Sequence, residues 1–241
     1  MKRKDKLRGN ALILFFFFSS GLTALSGQGV LKDPLIPHGE WSILSVTTDD
    51  EESRLRSRVE IIGDRQDTYS VLITGPEETT EIKLRRADMT AFYLRNLRGR
   101  GEYSLESSTL VQGNPEARPG EIRILDTTSI IYALRGYPFS DPKPLRITFL
   151  STGDESSDFE LSVMSAGKEN ISLRDRTLEC YRLELSFKMS GVFAVFSKMV
   201  PKTRLWYSAA PPHYLVKYQG QNGPPGTPMT TMEIREYSGW R

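Results

Sequence analysis

The side chains best suited to do chemistry in this chain are two histidines, His38 and His213, and a single cysteine, Cys180. His38 lies in Ile36-Pro37-His38-Gly39-Glu40, and His213 lies in Pro211-Pro212-His213-Tyr214. Either ring could serve as a general base near neutral pH. A base also needs an orienting partner and a nucleophile close by. Sequence spacing does not show such partners in space, and both read as loop or strand-edge residues. Glu184 with His213 is the carboxylate–imidazole pairing that a hydrolase reading would use. Cys180 would be a nucleophile only if its pKa were lowered. It opens an alternating segment on the face of Arg182 and Glu184, without a signature around it, and reads as a small structural residue. One thiol excludes an internal disulfide. One thiolate and two imidazoles also fall short of the ligand count of a zinc site, so neither metal nor other cofactor is expected. The acidic run Asp49 to Glu52 lacks the spacing of a calcium loop and reads as a solvated turn. Gly99-Arg100-Gly101 has too few glycines to cradle a phosphate. Arg85-Arg86 and Arg95 to Arg100 form a modest basic patch whose default reading is a solvated face. Neither G-x-S-x-G nor H-E-x-x-H occurs.

The aromatic residues are more suggestive. Phe187, Phe193, Phe196, Trp206 and Tyr214 fall in the final third, along consecutive expected strands and beside Met189 and Met199. They fit either an ordinary core or the lining of a wide apolar ligand cavity. These five are the candidate ligand-binding residues.

The elements that must position them are mostly strands. Tyr181, Leu183, Leu185, Phe187 and Met189 alternate with Arg182, Glu184, Ser186 and Lys188, the period-two pattern of a half-buried strand. Ser190-Gly191 then marks a turn, followed by the apolar run Val192 to Phe196. Shorter alternations recur: Tyr69, Val71 and Ile73; Ile82 and Leu84; Ile122 and Ile124; Phe159, Leu161 and Val163; Tyr214, Val216 and Tyr218; Met232 and Ile234. Turn residues separate many of them, as at Thr74-Gly75-Pro76 and Asn222-Gly223-Pro224. Helical signals are few: Thr128 to Arg135, capped by Asp126 or Thr127 and stopped by Gly136, and a weaker one at Ala87 to Leu97. The rhythm of a parallel sheet is absent. The expected fold is all-β and mainly antiparallel: a single curled sheet or incomplete barrel with one or two short helices.

The first residues, MKRKDKLRGN, are basic, and Ala11 to Leu25 is apolar, with small residues at Ala24 and Ser26. This is the layout of a secretory signal, expected to span residues 1–26. The apolar run is short for a membrane span, which needs about 20 residues; an uncleaved anchor is the alternative. No cysteine follows it, so lipid modification there is not expected. About 215 residues then form a single domain, 27–241, a length that one β-rich unit can reach. The formal net charge is +2, from 32 basic and 30 acidic residues, and much of the excess lies in the first ten. That argues against a nucleic-acid partner. No second long apolar segment follows, so no integral span is expected after signal removal.

Three segments carry a resemblance: Ile131 to Phe139 (IYALRGYPF), Cys180 to Leu185 (CYRLEL), and Thr203 to Ser208 (TRLWYS) leading to Pro212 to Tyr218 (PHYLVKY). Their order, with the opening Gly39-Glu40-Trp41, resembles the exported bacterial family called domain of unknown function 3108. The resemblance implies no assigned activity. Its strand pattern is similar to the half-barrel lipoprotein carriers of the bacterial envelope, which cover an apolar cavity with a helix. The expectation is therefore a periplasmic, non-enzymatic protein that binds a lipid or other apolar envelope component in a curled sheet. The alternatives are a scaffolding protein with an envelope protein partner, and an envelope hydrolase.

Overall fold

The computed structural model describes residues 31–100, 103–107, 121–124, 127–149, 159–188, 201–221 and 227–240. The first half contributes β1 (Trp41–Thr48), β2 (Glu51–Ile62), β3 (Thr68–Thr74), β4 (Glu78–Arg85), β5 (Ala91–Arg100), β6 (Tyr103–Ser107) and β7 (Glu121–Ile124). Helix α1 (Thr127–Ala133) runs into a 3-10 turn (Leu134–Gly136). Then come β8 (Leu145–Phe149), β9 (Phe159–Ser172), β10 (Thr177–Lys188), β11 (Thr203–Ser208), β12 (Leu215–Gln221) and β13 (Met229–Tyr237).

Among the described residues these thirteen strands form one sheet, ordered β6-β5-β4-β3-β2-β1-β13-β12-β11-β10-β9-β8-β7. The first and last strands pair at its middle, so each half of the chain meanders outward to its own edge. β6 and β7 end the order without pairing to each other, which makes the sheet curled and open. All neighbours are antiparallel except β7 and β8, which run parallel across α1. That single crossover leaves the sheet mainly antiparallel, as the sequence leads one to expect. It needs a helix because parallel neighbours cannot be joined by a tight turn.

Alternation decides which face is concave. Ile61, Tyr69 and Leu84 lie opposite one another across β2, β3 and β4, as do Val59, Val71 and Ile82, with Leu94 of β5 completing the second row. Their outward neighbours are Arg58, Leu72 and Glu81. Buried and solvated residues therefore sort by strand parity, as a curled sheet packed on one side requires.

One sequence expectation shifts. Ala87 to Leu97 is not helical; a turn at Arg85 to Thr90 leads into β5. Pairing with β4 buries Ala91 and Leu94 on the concave face, a gain that a short isolated helix lacks. Val216 and Tyr218 alternate with Lys217 as expected, but Leu215 is buried beside them. A register shift between Trp206 and Tyr207 sets Leu215 opposite Tyr207 and Tyr218 opposite Leu205. Leu215, Val216 and Tyr218 are all buried as a result. The Ser190-Gly191 turn and the run Val192 to Phe196 lie outside the described residues.

Helix α1 and its 3-10 turn sit in the concavity. Ser129, Ala133 and Leu134 are fully buried, and Ile130, Ile131 and Tyr132 nearly so. A helix buried on every side explains its apolar sequence. The Tyr207 hydroxyl donates to the Ile131 carbonyl at 2.8 Å, satisfying a helix-end acceptor from the sheet below.

An N-terminal strap, residues 31–36, lies against this turn. Lys32 N donates to the Gly136 carbonyl at 2.9 Å, and Leu31 and Ile36 are buried. A Cβ on Gly136 would run into the Lys32 carbonyl oxygen and sit 2.7 Å from Met89 Cγ, so only glycine permits the approach. Asp33 anchors the strap to the sheet. It accepts from Tyr69 Oη and from Arg86 Nε (3.0 Å) and Nη2 (2.8 Å), while the Ile36 amide donates to Tyr69 Oη at 3.0 Å. Burial, reinforced by the Asp33 carboxylate, pushes the Tyr69 phenol up to about 12.

Candidate functional site

The polar centre of the concavity is a buried ion pair. Arg135, in the 3-10 turn, and Glu40, just before β1, have side chains only 3% and 5% exposed. Arg135 Nη1 donates to Glu40 Oε1 at 2.6 Å and Nη2 donates to Oε2 at 2.9 Å. Arg135 Nε and Nη2 also donate to the Pro212 carbonyl at 3.2 and 3.0 Å. Tyr237 of β13 donates its hydroxyl to Glu40 Oε2 at 2.7 Å. Burial disfavours the guanidinium charge, but Glu40 and the flanking tyrosines outweigh it, and the Arg135 pKa is raised. Burial is also the main force pushing Tyr237 upward, with Glu40 adding to it. One side chain of the helical segment is thus bound to the residue that precedes the first strand, to the last strand through Glu40, and to the loop before β12.

Beside this pair lies a cavity of about 110 Å³. Leu44, Leu55, Ile73, Leu215 and Met232 from the sheet, with Ile131 from α1, form its apolar wall. Ser42, Ser57, Thr80, Tyr132, Glu40 and Arg135 form the polar part. The hydroxyls of Ser42 and Ser57 are 2.7 Å apart and hydrogen-bonded, and Thr80 donates to Asn96 Oδ1 at 2.9 Å. Burial pushes Tyr132 up to about 12, partly opposed by a hydrogen bond with Ser57. The cavity therefore offers apolar contact and hydroxyl groups around an already neutralised charge pair. Among the described residues there is no cluster of side chains able to hold a metal ion.

The five aromatic candidates separate. Tyr214 does line the cavity, stacked on Tyr237 with ring centroids 3.9 Å apart and accepting from Trp240 Nε1 at 2.9 Å. Trp206 does not. Its register partners are Arg182 and Lys217, its indole N–H donates to Glu169, and Lys217 sits over its ring. It is buried on the convex side, beneath charged side chains, because strand parity gives the concave side to Leu205 and Tyr207. Phe187 lies in β10 opposite Leu161 of β9. Phe193 and Phe196 fall outside the described residues. Among the described residues, the cavity that Tyr214 lines is a narrow space under α1. The residues that make its polar part (Glu40, Arg135, Ser42, Ser57, Thr80 and Tyr132) were not singled out from the sequence. A signal existed for one: Arg135 ends an otherwise apolar helix, and a cation carried there into a core requires a carboxylate.

His213 and Cys180 stand apart from this centre. His213 Nδ1 lies 2.9 Å from the Ser208 carbonyl, and the ring packs against Phe139 at 4.8 Å. Together with Leu35, Tyr181 and Pro211 it borders an open groove of about 410 Å³ outside the Arg135 turn. Burial lowers its pKa. Glu184, its hydrolase partner on the sequence reading, is engaged elsewhere by Lys202 at 2.8 Å, which holds its carboxyl below the usual range. Cys180 is fully buried, and burial pushes its thiol up to about 12, the reverse of nucleophile activation. His38 is exposed beside Glu60, 3.1 Å away.

No family model matches the chain, and no curated protein matches it, so the family suggested by the three motifs stands as a resemblance. Solved structures align with most of the chain at low identity. A β-barrel-like protein of domain of unknown function 1849 from Brucella abortus aligns over 87% of this chain and 98% of its own, with 8% identity and TM-score 0.45. The hypothetical lipoprotein YmcC from Escherichia coli aligns over 86% and 92%, with 11% identity and TM-score 0.37. A LolA superfamily protein from Nitrosomonas europaea aligns over 83% and 85%, with 12% identity and TM-score 0.24.

Proposed function

We propose that this is an exported, non-enzymatic envelope protein that binds an apolar envelope component, such as the acyl chain of a lipid, between α1 and the concave face of its sheet. The observation that carries the reading is the part-apolar cavity under α1, bordered by the Arg135–Glu40 pair. The basic and apolar N-terminal layout supports export, and among the described residues no helix is long and apolar enough to cross a membrane. Ligand pockets commonly run to about 300–1,000 Å³. A space of about 110 Å³ takes only the end of a chain, so a longer ligand enters as α1 moves outward. The polar bonds that such a motion would break include those of Arg135, the Tyr207–Ile131 bond and the Lys32–Gly136 bond. The groove bordered by Leu35, Tyr181 and Pro211 favours a second reading, a scaffold that seats a protein partner.

The test is recovery of the exported chain for native mass spectrometry beside organic extraction of the same sample. A lipid released only on denaturation supports the proposal. A ligand-free mass that stays unchanged after incubation with envelope lipids refutes it and turns attention to the groove.

A further inference from the structure

We infer that the cavity under α1 selects uncharged acyl compounds, whose polar end is a hydroxyl or ester, over anionic ones. The inference deepens the apolar-binding reading above and rests on it. Among the described residues, the only cation lining the cavity is Arg135, and its charge is already committed. Both of its terminal nitrogens hold Glu40, and the Pro212 carbonyl takes Nε and the second bond of Nη2. Glu40 is matched in turn by Arg135 and the Tyr237 hydroxyl. A ligand carboxylate or phosphate entering here would give up its water and meet no unpaired positive charge. It would also lie beside the Glu40 carboxylate. Burying an unpaired anion is among the costliest changes a site can impose.

Uncharged polar groups are treated differently. Tyr132, Ser57 and Ser42 form a chain of hydroxyls at the cavity wall, with Ser42 and Ser57 joined at 2.7 Å. A hydroxyl carries one hydrogen and two lone pairs, so such a chain can turn to donate to an ester carbonyl or accept from an alcohol. Thr80 spends its hydrogen on Asn96 and keeps its lone pairs. On the other side, Leu44, Leu55, Ile73, Leu215 and Met232 offer contact to methylenes. The arrangement suits a slender acyl chain ending in a neutral oxygen function.

The test uses the exported chain with two probes of equal chain length, monolauroylglycerol and laurate, each below its micelle concentration at pH 7.5. Calorimetry or native mass spectrometry should show monolauroylglycerol bound at least tenfold more tightly. The double variant Ser42→Ala, Ser57→Ala should reduce the ratio to under threefold with laurate affinity unchanged, which also serves as its folding control. Ser57→Thr keeps the hydroxyl and should keep the ratio. Laurate bound as tightly as the glyceride overturns the selectivity and leaves the cavity reading standing. A ratio unaffected by the double variant overturns the role of the hydroxyls. Binding of neither probe overturns the selectivity and the apolar-binding reading together.

Discussion

Replacing Glu40 by Ala should destabilise the protein far more than removing the pair as a whole. In the single variant Arg135 keeps the Pro212 carbonyl but loses two charge-assisted bonds, at 2.6 and 2.9 Å, in a site where its side chain is 3% exposed. Each such bond contributes about 1.5–3 kcal/mol, and stranding one partner of a buried pair costs about 3–5 kcal/mol. For a domain of this size that corresponds to a fall in Tm of roughly 6–20 °C. The double variant Glu40→Leu, Arg135→Met leaves no buried charge and should cost less than Glu40→Ala alone. Thermal unfolding of wild type, Glu40→Leu, Arg135→Met and the double variant gives the coupling directly. Hydrogen exchange should also show protection lost first at residues 127–136, because Arg135 ties the helical segment to the sheet. A Glu40→Ala cost below about 1 kcal/mol, or a double variant equal to the sum of the singles, would refute the reasoning.

Three further outcomes follow from other contacts. Gly136→Ala forces a Cβ into the Lys32 carbonyl oxygen, and should cost about 1–3 kcal/mol and expose the strap at 31–36 to proteolysis; unchanged proteolysis would contradict the close approach. Trp206→Phe removes the bond to Glu169 on the convex side and should lower stability by about 1 kcal/mol while ligand retention stays at the wild-type level; lost retention would place Trp206 in the site. His213 is held neutral by burial, below its usual 6.5, so the unfolded chain takes up a proton below pH 6.5 that the folded chain declines. Stability should therefore fall as pH drops from 6.5 toward the depressed folded value. His213→Gln should flatten that window in thermal melts across pH, and an identical slope in the variant would contradict the assignment.

Strand parity was legible in the sequence because it is local. Tyr69-Val71-Ile73 and Ile82-Leu84 alternate within single strands, and those strands pair with that face inward. Helix α1 was legible for the same reason, a short apolar run closed by Gly136. What depends on pairing between strands was not. The register shift at Trp206–Tyr207 buries Leu215 beside the expected Val216 and Tyr218, and no residue in either strand announces it. Trp206 looked like a lining residue by type, but parity put it on the convex side. The central pair joins residues 95 positions apart, and its third member, Tyr237, lies 197 positions from Glu40. Such a constellation exists only once the first and last strands meet, so no spacing rule could expose it.

The most direct test of the account is to fill the cavity. Leu55 lines it from β2 and is only part-buried, which leaves room for a larger ring without rebuilding the core. Retention of a neutral acyl probe by Leu55→Trp should be measured beside its unfolding transition. The account predicts cooperative unfolding close to wild type with probe affinity reduced at least tenfold. A Leu55→Trp variant that folds cooperatively and holds the probe as tightly as wild type would contradict binding beneath α1.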